Sequence, residues 1–390
     1  MIRIVSFMNA FWLTLFFSCQ PELAAPTKKC SYAVTQETLS HPREKVYQEL
    51  ISRYVKKGLP GIILLIRDAE GTWVGSSGMA DIDKAIPMQP CHISKAASIT
   101  KMFVAVVALQ LVEEGLLQLD EKANQWFDAE VVENIANADQ VTLRQLLNHT
   151  TGIYDIIDDD AFYLSILNDP SQQRTLKELA EFVYGKDPLF SPGQKAAYSN
   201  TNTLLVSMII EKITGRPHEQ IIRERIFKRL NLQNTHYLDF QRLPANTAQG
   251  YFDLYNDQTI VNLTNYNTAS GYGGMYSSVF DLKVFIEALL IHRTLLSQNS
   301  LDQMLQFNEE IENGKFLGAG IFKDFVELDE NKYAFGHRGR DLAYTADLFW
   351  FPNQNTTMVM MLNYGTDAQT ELRDVFYSFR RELGEIVTTP

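Results

Sequence analysis

Apolar residues recur every three to four positions through HPREKVYQELISRYVKKG and stop at Gly58, which predicts an amphipathic helix with a glycine at its C-terminus. The pattern then changes. In GIILLIRDAEGTWVGSSG, β-branched and apolar runs flank a turn at Asp68 to Gly71, predicting an antiparallel hairpin. From Ser98 to Glu114 the chain is apolar almost all round, the mark of a buried helix, and Gly115 ends it. Between about 120 and 290 the pattern is mainly helical with long loops, as in TLRQLLNHTTG, LKELAEFVYG and TLLVSMIIEKITG, each closed by glycine. Past 315, FLGAGIFKDFVEL, KYAFGH, YTADLFWF and TTMVMMLNY read as short strands, and AQTELRDVFYSFRREL returns to helix.

This order of elements predicts an α/β fold of the α+β type, with an antiparallel sheet flanked by helices beside a mainly α-helical lobe. Residues 26–119 and 291–390 are assigned to the α/β sandwich lobe and 120–290 to the helical lobe. A chain of 390 residues, 45% hydrophobic, is long enough for both. The run DDD at 158–160 reads as a solvated loop.

Charge and targeting signals narrow the setting. With 35 basic against 47 acidic residues the formal charge is -12, and no basic run exceeds two residues, which argues against a nucleic-acid partner. The start, MIRIVSFMNAFWLTLFFSC, has an early Arg3 and then an apolar stretch, the layout of an export signal within residues 1–25. FFSC allows lipidation of Cys19, the one membrane attachment expected, and LAA before Pro26 offers an ordinary cleavage site; both routes lead to a periplasmic protein. Cys30 and Cys91 then remain, either as a bridge or as two buried thiols.

Candidate chemistry centres on AASITKMFVAVVAL, in which Ser98 and Lys101 fall three apart at the start of the buried helix. A serine hydroxyl needs a base within hydrogen-bond reach, and a lysine one turn on supplies an amine. Burial lowers the lysine pKa and lets the amine accept a proton. By itself the pair reads first as a helix cap with a snorkelling lysine. Its companions change the balance. Tyr198 in YSN can relay a proton, and the Asn200 amide offers a donor and an acceptor to a substrate amide. In HRG, His337 can shuttle a proton and Gly339 allows close approach to a strand. Each alone reads more often as a loop tyrosine, an asparagine turn or a structural histidine.

Taken in order, SITK, YSN and HRG resemble the three active-site elements of the penicillin-recognising serine hydrolases, especially the class C β-lactamase and D-alanyl-D-alanine carboxypeptidase branch. VTLRQLLNHTTGI, FSPGQKAAYSNTNTLLVSMIIEKITGRP, IFKRLNL and GYGGMYSSVFDL extend the likeness over roughly residues 45–380. The resemblance implies a β-lactamase/transpeptidase-like fold, Ser98 as acylated nucleophile, Lys101 as its base, and Tyr198 sharing proton transfer. It further implies Asn200 on the substrate's acyl-side amide, His337 where many relatives have lysine, and an oxyanion hole of the Ser98 and Arg340 backbone N–H groups. Arg338 and Arg340 depart from the family's usual hydroxyl and small residues, and as planar donors they suit a substrate carboxylate. No metal or organic cofactor is implied. The expected activity is an exported D-alanyl-D-alanine carboxypeptidase or penicillin-binding enzyme acting on a peptidoglycan stem peptide or a β-lactam. The alternatives are a family esterase or β-lactamase acting on a small acyl substrate, or a silent peptidoglycan binder.

Overall fold

The computed structural model describes residues 27–30, 41–169, 172–237, 243–253, 260–262, 264, 270–307, 309–312, 314–366 and 370–389. The signal segment and Cys19 lie outside them. In chain order, helix α1 (Glu44–Lys56) leads into β1 (Gly61–Asp68), β2 (Gly71–Asp81) and the short β3 (Ile86–Pro87). The long helices α2 (Thr100–Glu113) and α3 (Asn200–Thr214) follow. The later strands are β4 (Glu309–Glu312), β5 (Lys315–Leu317), β6 (Phe322–Asp324), β7 (Ala334–Arg340), β8 (Thr345–Phe351) and β9 (Thr356–Leu362), before the final helix α4 (Glu371–Thr388).

These nine strands form one antiparallel sheet in the order β3-β2-β1-β9-β8-β7-β6-β5-β4. The early hairpin and the late strands therefore join where β1 pairs with β9, Ile62 opposite Leu362 through Arg67 opposite Thr357. β1 is apolar at every position from Ile62 to Ile66 because helices cover both sides of it. Ile62, Leu64 and Ile66 face α1 and α4, meeting Tyr47, Leu50 and Ile51 of α1 and Phe376 and Phe379 of α4. Ile63 and Leu65 face the opposite way, toward α2 and the helices that follow it. Each such side chain contributes roughly 1.5–3 kcal/mol by leaving water.

α2 has the all-round burial its sequence demands, with every residue from Thr100 to Leu111 buried. Around it the middle of the chain is helical, as expected, and α3 ends at Gly215 with φ 64°. That stretch also holds strands of two or three residues at His236–Tyr237, Tyr251–Asp253, Ile260–Asn262 and Met275–Ser277. They are too short for alternation to reveal them. Asp159 is buried, capping the helix 160–168 and pairing with Lys186, so the acidic run is not a plain solvated loop.

Cys30 and Cys91 form a disulfide. With its ends 61 positions apart in sequence, such a closure contributes roughly 4 kcal/mol in the chain-entropy account. It ties residues 27–30 to the segment leading into Ser98, and Thr27 and Lys28 hydrogen-bond the carbonyls of Thr247 and Ala245.

Candidate active site

β6 pairs with β7 only from Ala334 to Gly336, so that edge of β7 carries no ladder from His337 to Arg340. The turn Ala97–Ile99 packs there instead, placing Ser98 beside the open edge. Ser98 thus sits in a 3-10 turn that runs into α2, not in the first α-helical turn as expected. The cause is local: Ala97 has φ 48°, a left-handed conformation that an α-helix does not admit. Gly339 makes the packing feasible, since a Cβ there would lie 2.2 Å from the carbonyl oxygen of Ala96. The missing side chain of Gly339 thus makes room for the chain's own turn.

Lys101 is 1% exposed, and its Nζ reaches Ser98 Oγ at 3.0 Å, Asn200 Oδ1 at 2.7 Å and the Tyr272 carbonyl at 2.9 Å. None of the three acceptors is charged. Burial therefore dominates and pulls the lysine pKa down to about 7, against the opposing pull of Asp155 and Asp341. The ammonium also lies 5.1 Å from the centre of the Tyr198 ring. Beneath that ring His149 stacks at 4.6 Å and accepts the Ser199 N–H through Nδ1. Burial, then the nearby Lys101 charge, lower the His149 pKa to about 3 and keep it neutral.

His337 is buried and donates through Nδ1 to the carbonyl of Arg338 at 2.7 Å. That bond fixes the tautomer: Nε2 carries the lone pair, and it has no hydrogen-bond partner among the described residues. Burial and the Lys101 charge hold its pKa well below the ordinary value, so His337 brings a neutral acceptor to the site.

Asn200 differs from expectation. Its Oδ1 is on Lys101 and its Nδ2 on Asp155 Oδ2 at 3.1 Å, so one amide hydrogen is left for a substrate. Arg340 differs too: it pairs with Asp347 at 2.9 Å, donates to the carbonyls of Gly339 and Ala346, and lies over Phe376. Arg338 stands over Phe322, 3.8 Å from Asp324.

Ser98, Tyr198, Asn200, His337, Arg338 and Arg340 line a cavity of about 550 Å³ that also takes in Asp341, Lys315, Arg373 and Tyr377. Burial raises the Tyr377 phenol, but the charges of Arg340, Arg338 and Arg373 outweigh it and hold the pKa below the ordinary value. In a chain of net charge -12, this wall is locally positive. Sequence reasoning missed Asp155, Arg373, Tyr377 and the buried pair Lys95 and Asp341. No motif flags them; only the signal of an Asp seven residues after Asn148 in NHTTGIYD sits near a phrase already noted.

Residues 47–377 match the Beta-lactamase family model. Protein flp of Staphylococcus aureus (strain MW2) is 24% identical over 344 residues, 86% of this chain and 66% of that protein. The chain thus spans about two thirds of the length of that curated relative. Penicillin-binding protein 4* of Bacillus subtilis (strain 168) is 23% identical, over 80% of this chain and 69% of its own. Among solved structures, a D-stereospecific amidohydrolase from Streptomyces sp. superposes with a TM-score of 0.76 at 29% identity, covering 86% of this chain and 98% of that one.

Proposed function

The chain belongs to the Beta-lactamase family of serine hydrolases, and from that premise we propose that it is an exported acyl hydrolase that cleaves D-alanyl-D-alanine termini through an acyl-enzyme on Ser98. The observation that carries the reading is the 3.0 Å contact between Ser98 Oγ and a lysine amine whose pKa burial lowers to about 7. A neutral amine at that place takes the serine proton as Oγ attacks the carbonyl carbon. The N–H groups of Ser98 and Arg340 receive the oxyanion. Collapse expels the leaving amine, which takes through Tyr198 the proton that Lys101 received from Ser98, so Lys101 returns to its neutral form. Water then hydrolyses the ester and frees Ser98.

Support for a carboxylate on the leaving group comes from the positive wall of Arg338, Arg373 and Lys315. Arg340, held by Asp347, shapes that wall more than it reaches out. The disulfide supports export, since such bonds persist in oxidising compartments. A second reading, hydrolysis of D-amino acid amides, is favoured by the likeness to a D-amino acid amidase from Ochrobactrum anthropi SV3, 25% identical with a TM-score of 0.77, and needs no carboxylate.

The test is to express the chain from Thr27, add a fluorescent penicillin, and follow intact mass beside Ser98→Ala, then compare turnover of a peptide ending in D-alanyl-D-alanine with D-alaninamide. A lasting adduct absent from Ser98→Ala, with preference for the free carboxylate, is the expected result. Opened penicillin without an adduct indicates a β-lactamase. No adduct with turnover of short acyl esters indicates an esterase, preference for the amide indicates the second reading, and no reaction at all indicates a silent binder.

A further inference from the structure

The neutral Lys101 amine has two N–H donors and one lone pair, and three neighbours compete for them. The Tyr272 carbonyl and Asn200 Oδ1 can only accept, so they take the two hydrogens and the lone pair is left facing the Ser98 hydroxyl. This holds only while Asn200 presents its oxygen. Were the Asn200 amide turned over, its NH2 would donate to Lys101 and occupy the lone pair that Ser98 requires.

Asp155 prevents the turn. It is 5% exposed and ends the segment leading into the 3-10 turn Ile156–Asp158, whose Ile157 N–H caps its Oδ1 at 3.3 Å. The same Oδ1 accepts the backbone N–H of Asn200 at 2.9 Å, and Oδ2 accepts Asn200 Nδ2 at 3.1 Å. A carboxylate can only accept, so the reversed amide would set two oxygens against each other in a buried site.

We infer that Asp155 is a positioning residue for the acylation step: by fixing which end of the Asn200 amide faces Lys101, it directs the lysine lone pair at Ser98. The inference rests on the acyl-enzyme reading above. The proton balance is simple. Ser98 loses its hydrogen to Lys101 Nζ as the Oγ–acyl bond forms, and the resulting ammonium has three N–H groups for the same three oxygens, so no side chain need move.

Asp155 performs this task only when ionised. Burial lifts its pKa to about 6, against the N–H bonds and the Lys101 charge that lower it. The charged and titratable groups around the pair are Lys101 from α2, Asp158 from its own turn, His149, Asp341, His337 and Tyr272. Both histidines are held neutral by burial, so the acid limb of acylation belongs to the Asp155 and Lys101 pair.

The test measures the rate of Ser98 acylation by fluorescent penicillin against pH for the wild type, Asp155→Asn, Asn200→Ala and the double variant, with thermal melts for each. An amide at 155 pairs with Asn200 in either orientation, so Asp155→Asn is expected to slow the plateau by roughly tenfold to a hundredfold. The acid limb is expected to move to lower pH, because the carboxylate that raises the Lys101 pKa is gone. In the Asn200→Ala background the same change is expected to cost nothing more. Wild-type labelling with an unchanged Asp155→Asn rate and limb overturns the inference, as does a full additional loss in the double variant. Failure of the wild type itself to label overturns the acyl-enzyme reading instead. If Asp155→Asn does not fold, Asn200→Ala decides: a plateau and limb equal to wild type overturn the inference.

Discussion

The two faces of β7 bury ionisable groups equally deeply and treat their charge in opposite ways. Toward α4, Arg380 is 6% exposed and touches Asp324 at 2.7 Å and Asp347 at 2.6 Å. Burial opposes these charges, yet the attraction wins: the Arg380 pKa rises and that of Asp324 falls. Toward α2 burial wins, and Lys101 falls to about 7 while Asp155 rises to about 6. The difference lies in the touching atoms. Arg380 contacts carboxylates, whereas Lys101 contacts a hydroxyl, an amide oxygen and a carbonyl. A charge pair near 4 Å contributes roughly 4 kcal/mol at an effective dielectric of about 20, comparable to the cost of burial, so one ionic contact decides the sign. A scaffold cluster is built from ionic contacts; a reactive one withholds them.

The largest expected effect breaks the scaffold side. Arg380→Met takes away the cation that touches both carboxylates, leaving Asp324 with Arg338 at 3.8 Å and Asp347 with Arg340 at 2.9 Å. Removing one partner of a buried ion pair costs about 3–5 kcal/mol, and urea denaturation at pH 7 is expected to show it. Labelling of Ser98 in the protein that remains folded is expected to persist. A loss under about 1 kcal/mol would mean that these contacts do not hold this face together.

The same contrast explains what the sequence revealed. Ser98, Lys101, Tyr198 and His337 stand in short motifs whose order was readable; Ser98, Tyr198 and His337 line one cavity, and Lys101 lies buried against Ser98 at 3.0 Å. The longer strands were readable because period-two or continuous apolar runs mark them, as in Ile62 to Ile66. Asp155 and Arg380 were not, because their meaning lies in partners 45 and 56 residues away, Asn200 and Asp324. Arg340 misled for the same reason. Beside a motif an arginine reads as a ligand for substrate until Asp347, on the neighbouring strand, is seen to hold it.

The next effect is smaller and of opposite sign. The Lys101 ammonium is disfavoured in the folded state, with a pKa of about 7 against 10.5 for the unfolded chain. Between those values the unfolded chain binds more protons, so stability rises with pH there, and the cost is present in full below about 7. Lys101→Met removes the cost but leaves Asn200 Oδ1 and the Tyr272 carbonyl without a donor, which limits the gain. Stability at pH 6 is expected to rise by about 1–2 kcal/mol and the gain to shrink by pH 10, while acylation disappears. Denaturation midpoints at the two pH values check the sign. A less stable variant at pH 6 would place Lys101 with the scaffold charges.

The smallest effect sharpens the comparison at the backbone. Beside each cluster a non-glycine residue takes a left-handed conformation, Ala97 with φ 48° next to Ser98 and Phe325 with φ 64° next to Asp324. Such a conformation costs roughly 1–2 kcal/mol. At Phe325 the ring compensates, lying 4.0 Å beneath the Arg380 guanidinium and edge-on to Phe349. Ala97 has only a buried methyl group to set against the strain. Ala97→Gly relieves the strain but gives the unfolded chain more freedom, worth about 0.4–1 kcal/mol, so stability is expected to hold or rise by no more than about 1 kcal/mol. Acylation is expected to slow a few-fold, because a freer turn holds Ser98 less firmly against Lys101. Melting temperature and labelling rate, measured on one preparation, separate the two effects. A fall in melting temperature would mean that the methyl packing of Ala97, and not the geometry of its turn, is what the structure retains there.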